Sequence, residues 1–136
     1  MHMANELLSV PVAAGTIALA GGGLAAAAAK TKKTLPNDKL ALMGVMGAFV
    51  FAAQMVNFPI LTGTSGHMVG AVLLAILLGP HAAAIVMASI IIVQCLIFQD
   101  GGLLALGCNI INMGLVPTYL GSHIFRLFAR DSMDRG

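Results

Sequence analysis

Long apolar runs separated by short polar segments dominate the chain. The five runs cover residues 8–29, 39–58, 66–79, 81–98 and 103–125. Most of them approach the roughly 20 residues with which an α-helix crosses a bilayer. Segments that span a bilayer must be helices or a closed barrel, and the runs lack the period-two alternation of barrel strands. The pattern predicts an all-α, polytopic bundle of about five transmembrane helices, of which the third is short for a full crossing.

The composition excludes several classes of protein. Hydrophobic residues make up 59% of the chain and charged residues only 9%, against about 25% charged in a typical globular domain. The net charge of +2 and the absence of an arginine-rich patch argue against a nucleic-acid partner. Cys95 and Cys108 lack zinc-site spacing and are predicted to be packing residues. No phosphate-binding loop with its Lys and Ser/Thr is present, so we expect no ATP hydrolysis by this chain.

The positive charges predict one orientation in the membrane. Three lysines lie between the first and second runs, a fourth, Lys39, begins the second run, and all three arginines follow the fifth run. Because such charges favour the cytoplasmic side, we expect a single membrane domain (1–136) with an external arm (1–7), a cytoplasmic loop (30–38) and a cytoplasmic tail (126–136). The first run ends in lysines, and no Lys or Arg precedes it, so we expect a retained helix rather than a signal peptide.

The first two residues form a candidate metal site. The α-amine of Met1, the amide nitrogen of His2 and the His2 imidazole can close fused chelate rings on one ion. His67, in a Gly/Ser/Thr turn on the same predicted side, could supply a fourth nitrogen. Four nitrogens in a plane favour Ni(II) or Cu(II), whereas zinc prefers a tetrahedron. The donors must lose protons, so we expect metal uptake to weaken as the pH falls.

Polar residues near the predicted outer side could orient these ligands. Asn109 and Asn112 are three apart and are predicted to share a helix face. The full set of candidates is Asn57, Ser65, Gln94, Gln99, Asp100, Asn109 and Asn112. Intramembrane polar groups are often functional, but interhelical hydrogen bonding is an equally ordinary role for each of them.

Six short strings in order along the chain resemble one transporter family. They are Met1-His2, Asn57-Phe58-Pro59, Gly63-Thr64-Ser65-Gly66-His67, Leu78-Gly79-Pro80, Asp100-Gly101-Gly102 and Leu106-Gly107-Cys108-Asn109. Together they are similar to the NikM/CbiM family, the substrate-binding membrane components of energy-coupling-factor nickel and cobalt importers. The resemblance covers about residues 1–125.

The resemblance implies a function, a ligand set and partners. It implies capture of Ni(II) or Co(II) as the transported substrate, with no organic cofactor, at the outer face of a bacterial inner (cell) membrane. The metal ligands would be Met1, His2 and His67. Its partners would be a coupling transmembrane subunit and a pair of cytosolic ATPases, with a further small membrane subunit as an open alternative.

Two departures from the family pattern change the expectation. The family usually has about seven helices, so the chain is expected to be truncated or to be completed by a second polypeptide. The cobalt branch commonly has Ser-His-Pro-Thr-Gly around the second histidine, whereas this chain has Gly66-His67-Met68-Val69-Gly70. The nickel branch is therefore favoured.

Two other functional classes remain open from the residues alone. A small membrane redox subunit could use His81 and His123 as haem ligands, although no covalent haem-attachment motif is present. A structural assembly subunit would bind no metal at all.

Overall fold

A computed structural model describes residues 2–61 and 64–133, with the side chains of residues 61, 64, 65 and 130–133 outside that description. The helices are α1 (Val10–Thr34), α2 (Lys39–Met55), α3 (Ala71–Leu78), α4 (Pro80–Ile97), α5 (Leu106–Asn109) and α6 (Val116–Met133). A 3₁₀ turn covers Asn5–Leu7, and a π turn covers Ile110–Leu115 between α5 and α6, so the chain is helical without a break from Leu106 to Met133. The all-α class is confirmed.

Each predicted transmembrane run contains a helix, but the bounds differ. Two helices, α1 and α4, are long and apolar enough to cross a membrane, while α2 is apolar and has 17 residues. The helix in the third run starts at Ala71 rather than at 66 and is only about 12 Å long at 1.5 Å per residue. Gly70 has a φ of +75°, which is left-handed, so it stops the helix at its N-terminal end.

A short antiparallel hairpin lies between α2 and α3, where the sequence predicted only a turn. It pairs β1 (Phe58–Leu61) with β2 (Thr64–Gly66). Strands of four and three residues are too short for a visible period-two pattern, which explains why the sequence did not predict them. The hairpin replaces the end of the second predicted span and leads directly into His67.

Helix α4 lies at the centre of the bundle and contacts α1, α2, α3, α5, α6 and the π turn. Its Met87 and Ile91 are fully buried, together with Leu74 of α3 and Val50 of α2. Large apolar side chains elsewhere face outwards, including Leu19, Val45 and Phe128, each more than 60% exposed. Apolar patches of this extent are typical of surfaces that meet lipid or other helices.

Two separate regions of the chain meet the opposite ends of α4. Its N-terminal end begins at the Gly79–Pro80 junction, and its C-terminal end leads into Gln99-Asp100-Gly101-Gly102. The helix has 18 residues, so the two ends are about 27 Å apart. The C-terminal end receives the N-terminal arm, which we define as residues 2–9.

Candidate metal centre

The N-terminal arm is held to the bundle by hydrogen bonds at both the amide and the carbonyl of Met3. The Met3 amide donates to Asn109 Oδ1 at 2.8 Å, and the Met3 carbonyl accepts from the Gly102 amide at 2.9 Å. Asn109 Nδ2 lies 3.4 Å from the same carbonyl. Asn109 is 3% exposed, so these bonds form away from water, where leaving a polar group unpaired is costly. The anchoring of Met3 fixes the position of His2 beside it.

Two glycines make room for the arm. A Cβ on Gly101 would lie 2.8 Å from the Cβ of His2, and a Cβ on Gly102 would overlap Asn5. Gly101 also has a φ of +102°, which side chains rarely adopt. Asn5 Oδ1 accepts from the Leu104 amide at 2.8 Å, which holds the arm a second time. Any larger residue at position 101 or 102 would push the arm away.

The imidazoles of His2 and His67 lie side by side in this region. Their centroids are 5.8 Å apart and their planes are inclined by 17°. A metal–nitrogen bond is about 2 Å long, so two rings that share one ion have centroids within about 6.5 Å. The distance between the two rings is therefore compatible with a shared ion.

The nitrogens of these two rings are available for a ligand. His67 Nδ1 lies 3.0 Å from the Met68 carbonyl, which can only accept, so the hydrogen of a neutral ring is on Nδ1. His67 Nε2 then carries a free lone pair, and it is buried without a hydrogen-bond partner. Both nitrogens of His2 are also buried without a partner. Buried polar atoms without partners are uncommon and need an explanation, and an ion between the rings would supply one.

Asp100 faces His2 from the mouth of the site. Its Oδ1 lies 3.1 Å from His2 Nδ1, but the two groups lack the alignment of a hydrogen bond. Burial disfavours the imidazolium and lowers the pKa of His2 below its ordinary value of 6.5, while the charge of Asp100 opposes this shift. Burial is the larger effect, so His2 is held as a neutral ring, which is the form that binds metals.

The lowered pKa of His2 predicts how the metal-free arm responds to pH. A free arm takes up its proton at a higher pH than the docked arm, so docking is at full strength above pH 6.5 and weakens as the pH falls through the lower pKa of docked His2. An NMR titration of the His2 ring should give a midpoint below 6.5. In Asp100→Asn the midpoint should fall further, because the opposing charge is gone. A midpoint at or above 6.5 in the wild-type protein would contradict this account.

A pair of buried glutamines supports the segment that follows His67. Gln54 Nε2 donates to the Val69 carbonyl at 2.6 Å, and Gln94 Nε2 donates to Gln54 Oε1 at 2.8 Å. The residues from His67 to Gly70 are not helical, so their backbone groups need such partners inside a membrane protein. Gln94 Oε1 remains buried without a partner.

The predicted site residues have different positions in the structure. His2, His67, Asp100, Asn109 and Gln94 belong to the connected region described above, whereas Met1 lies outside the described residues. Asn57 and Gln99 are exposed, and no side-chain hydrogen bond is found for either among the described residues. The side chain of Ser65 also lies outside the description.

The prediction that Asn109 and Asn112 share a helix face is wrong. Asn109 is buried against the arm, whereas Asn112 is exposed and its amide lies 3.4 Å from Cys108 Sγ. The π turn that starts at Ile110 is wider than an α-helical turn and rotates the following residues to another face. Cys108 in turn lies 3.3 Å from the sulfur of Met3, and both cysteines are free.

Sequence reasoning missed the residues that hold the arm. Met3 acts through its backbone and Asn5 through its side-chain oxygen, in each case with residues about a hundred positions away, which leaves no local pattern. Gln54 had a detectable signal, because a glutamine inside an apolar run is costly unless it has a partner. The Gly101-Gly102 pair was visible in the sequence, but its role depends on the arm docked over it.

Side-chain clusters alone do not define the site. Within residues 2–61 and 64–133, no group of three or more His, Cys, Asp or Glu side chains is arranged to hold a metal. His81 and His123 are not part of the region either: His81 Nδ1 is 2.8 Å from the Tyr119 hydroxyl at the other end of α4, and His123 is exposed. Side chains of these four types therefore form no ligand set of their own within the described residues.

Comparison with known proteins links this arrangement to a family. The family model described as "Cobalt uptake substrate-specific transmembrane region" (CbiM) matches residues 2–135. A crystal structure of a truncated transition metal transporter superimposes with a TM-score of 0.90 at 38% identity, covering 97% of this chain and 62% of that one.

Curated relatives agree with the family match. A protein of Archaeoglobus fulgidus, provisionally named a fused nickel transport protein (NikMN), is 49% identical over 65% of this chain and 30% of its own length. The cobalt transport protein CbiM 2 of Pelobacter propionicus is 35% identical over 93% of this chain and 57% of its own length. The chain thus spans less than two thirds of the length of these relatives. The family match over nearly all of its residues, the relatives and the shared fold establish that the chain belongs to the CbiM family of metal-transport membrane proteins.

Proposed function

We propose that this chain captures Ni(II), with Co(II) as the alternative, as the substrate-binding membrane subunit of an energy-coupling-factor importer. The observation that carries the proposal is a pair of stacked, buried imidazoles. Nε2 of His67 and Nε2 of His2 have no hydrogen-bond partner among the described residues, and Nδ1 of His2 faces the Asp100 carboxylate at 3.1 Å. Family membership and the nickel and cobalt transport names of relatives support the choice of cargo.

The ligands in this proposal are the α-amine of Met1, the amide nitrogen and Nδ1 of His2, and Nε2 of His67. Only Nδ1 of His2 lies close enough to its own amide to close a small chelate ring. The hydrogen bond from His67 Nδ1 to the Met68 carbonyl leaves Nε2 of that ring as the free donor. Four nitrogen ligands of this kind suit Ni(II), which prefers square-planar coordination.

In this proposal, Asp100 and Gln94 support His2 without binding the ion. When Nδ1 binds the ion, Nε2 keeps its hydrogen and needs an acceptor. Gln94 Oε1 is a buried acceptor that makes no hydrogen bond to either His2 nitrogen among the described residues, and we propose that it accepts from Nε2 once the ion is bound. The Asp100 carboxylate offsets the positive charge of the bound ion at the mouth of the site, where its side chain is 40% exposed.

Transport against a gradient requires partners that this chain does not contain. The proposed partners are a coupling transmembrane subunit and a pair of cytosolic ATPases, with a further small membrane subunit as an option. One relative is named a fused nickel transport protein. The fusion supports association of this chain with another transport component. The lysines at the end of α1 and the start of α2 and the arginines after the fifth predicted span support an outward-facing site, because they favour a cytoplasmic position for the opposite end of the bundle.

Competitive titration of the purified chain with Ni(II), Co(II), Cu(II) and Zn(II) tests the proposal. We expect Ni(II) to bind with the visible absorption of a square-planar complex and to be retained over Zn(II), because zinc prefers a tetrahedron. The rates at which the ring N–H hydrogens of both imidazoles exchange with solvent should change on binding. Preferential binding of Zn(II), or binding of Ni(II) without a change at His2 and His67, would refute the proposed site.

A further inference from the structure

A cavity of about 320 Å³ lies at the N-terminal end of α4, at the opposite end of the bundle from His2. The end of α1, the start of α2, the α3–α4 junction and α6 together form its walls. The proposed metal function makes no use of this cavity.

Three of the side chains that line the cavity are basic. Lys39 of α2, Arg126 of α6 and His81 of α4 come from three separate helices, and no Asp or Glu lines the cavity. The ring of His81 is held in place by the hydroxyl of Tyr119 at 2.8 Å. No carboxylate lies within salt-bridge distance of Lys39 or Arg126 in the part of the chain that the structure describes. These charges therefore have no described protein counterion.

The remaining walls are suited to a group that is only partly polar. Leu35, Leu78 and Ala82 contribute apolar surface next to the basic groups. The hydroxyls of Thr31 and Thr34 already donate to carbonyls of α1, so they offer acceptors at most. A ligand here would place an anionic oxygen near Lys39 and Arg126, with an apolar portion against the leucines.

We propose that this cavity binds the headgroup of an anionic phospholipid such as phosphatidylglycerol. Basic pockets between transmembrane helices on the cytoplasmic side are typical binding sites for such headgroups, and the lysines of α1 surround the same end. A phosphatidylcholine headgroup carries a choline cation, which the two basic side chains would repel, because no carboxylate lines the cavity to attract it. The phosphodiester of the lipid would lie between Lys39 and Arg126.

Native mass spectrometry of the whole purified chain, titrated with mixtures of the two lipids, tests the proposal. A basic group at the membrane surface contributes about fivefold to the binding of an anionic lipid. We therefore expect phosphatidylglycerol to bind about 25-fold more tightly than phosphatidylcholine. The double variant Lys39→Gln with Arg126→Gln should bind both lipids almost equally.

Matched variants distinguish lipid binding in this cavity from a general attraction of anionic lipid to positive charge. Lys32→Gln with Lys33→Gln removes the same charge from the exposed last turn of α1, outside the cavity, and should keep the preference. Lys39→Arg with Arg126→Lys retains both charges and should also keep it, which makes the test informative even if the Gln variant does not fold. An excess of inorganic phosphate should leave the lipid bound.

Four results would overturn the proposal. They are equal binding of the two lipids by the wild-type chain, an equal loss of preference in the Lys32/Lys33 control, displacement of the lipid by inorganic phosphate, and displacement by an acidic peptide, which would point to a protein partner instead. None of these readouts involves metal, so failure of the lipid site and failure of the proposed nickel function remain distinguishable.

Discussion

Two alanines placed ahead of Met1 are expected to weaken Ni(II) binding by more than about 100-fold. Loss of a residue that only orients a ligand typically costs 10- to 100-fold in metal affinity, and loss of a ligand should cost more. The extension moves the α-amine away from the amide and imidazole of His2, so the fused chelate rings cannot close. Isothermal titration of the purified variant with Ni(II) measures the loss.

The extension has two controls. The same two alanines appended after Gly136 should leave the affinity unchanged. A single added residue would be a poor test, because an amine, two amides and the imidazole of a third residue form another square-planar set. Unchanged affinity in the two-alanine variant would remove the α-amine from the site.

His67→Ala is expected to weaken Ni(II) binding by more than about 100-fold as well. The substitution removes Nε2, the ring nitrogen whose lone pair is free because Nδ1 donates to the Met68 carbonyl. It should also change the visible spectrum of any nickel that remains bound, because water would replace a nitrogen ligand. Titration followed by absorption spectroscopy measures both effects.

Two histidines at other positions serve as matched controls for His67→Ala. His81→Ala and His123→Ala each remove an imidazole without touching the region around His2, so both should bind Ni(II) within about twofold of the wild-type chain, as is usual for substitutions remote from a site. A large loss in His81→Ala would contradict the placement of the metal site at the C-terminal end of α4. An unaffected His67→Ala would exclude His67 as a ligand.

The sequence was sufficient to predict the helices but not where they begin and end. Apolar runs predict helices because a lipid environment leaves few other ways to pair the backbone. The end of α1 lies at Thr34 rather than 29, since the lysines and threonines after the apolar run continue the helix, and Thr31 and Thr34 bond back to its carbonyls. The late start of α3 depends on the left-handed conformation of Gly70, which a glycine permits but does not require.

The candidate site was likewise predictable from the sequence only in part. Met1, His2 and His67 could be proposed because their nitrogen donors carry specific chemistry that a short motif can express. The contacts of Met3 with Asn109 and Gly102 could not, since they join the Met3 backbone to residues far away in sequence, through the side chain of Asn109 and the amide of Gly102. The π turn after Asn109 also has no clear sequence signature, so the face on which Asn112 lies was predicted incorrectly.

The docking of Met3 also has a kinetic consequence. Met3 is bonded on both sides of its backbone, and residue 2 is joined to it covalently, so His2 cannot move far while these bonds persist. An ion held partly by residue 2 can then depart only as fast as the arm detaches. If the ion is held as proposed, the lifetime of the loaded state would be set by the hydrogen bonds of Met3, and a partner subunit that competes for Asn109 or Gly102 would hasten unloading without touching the ion.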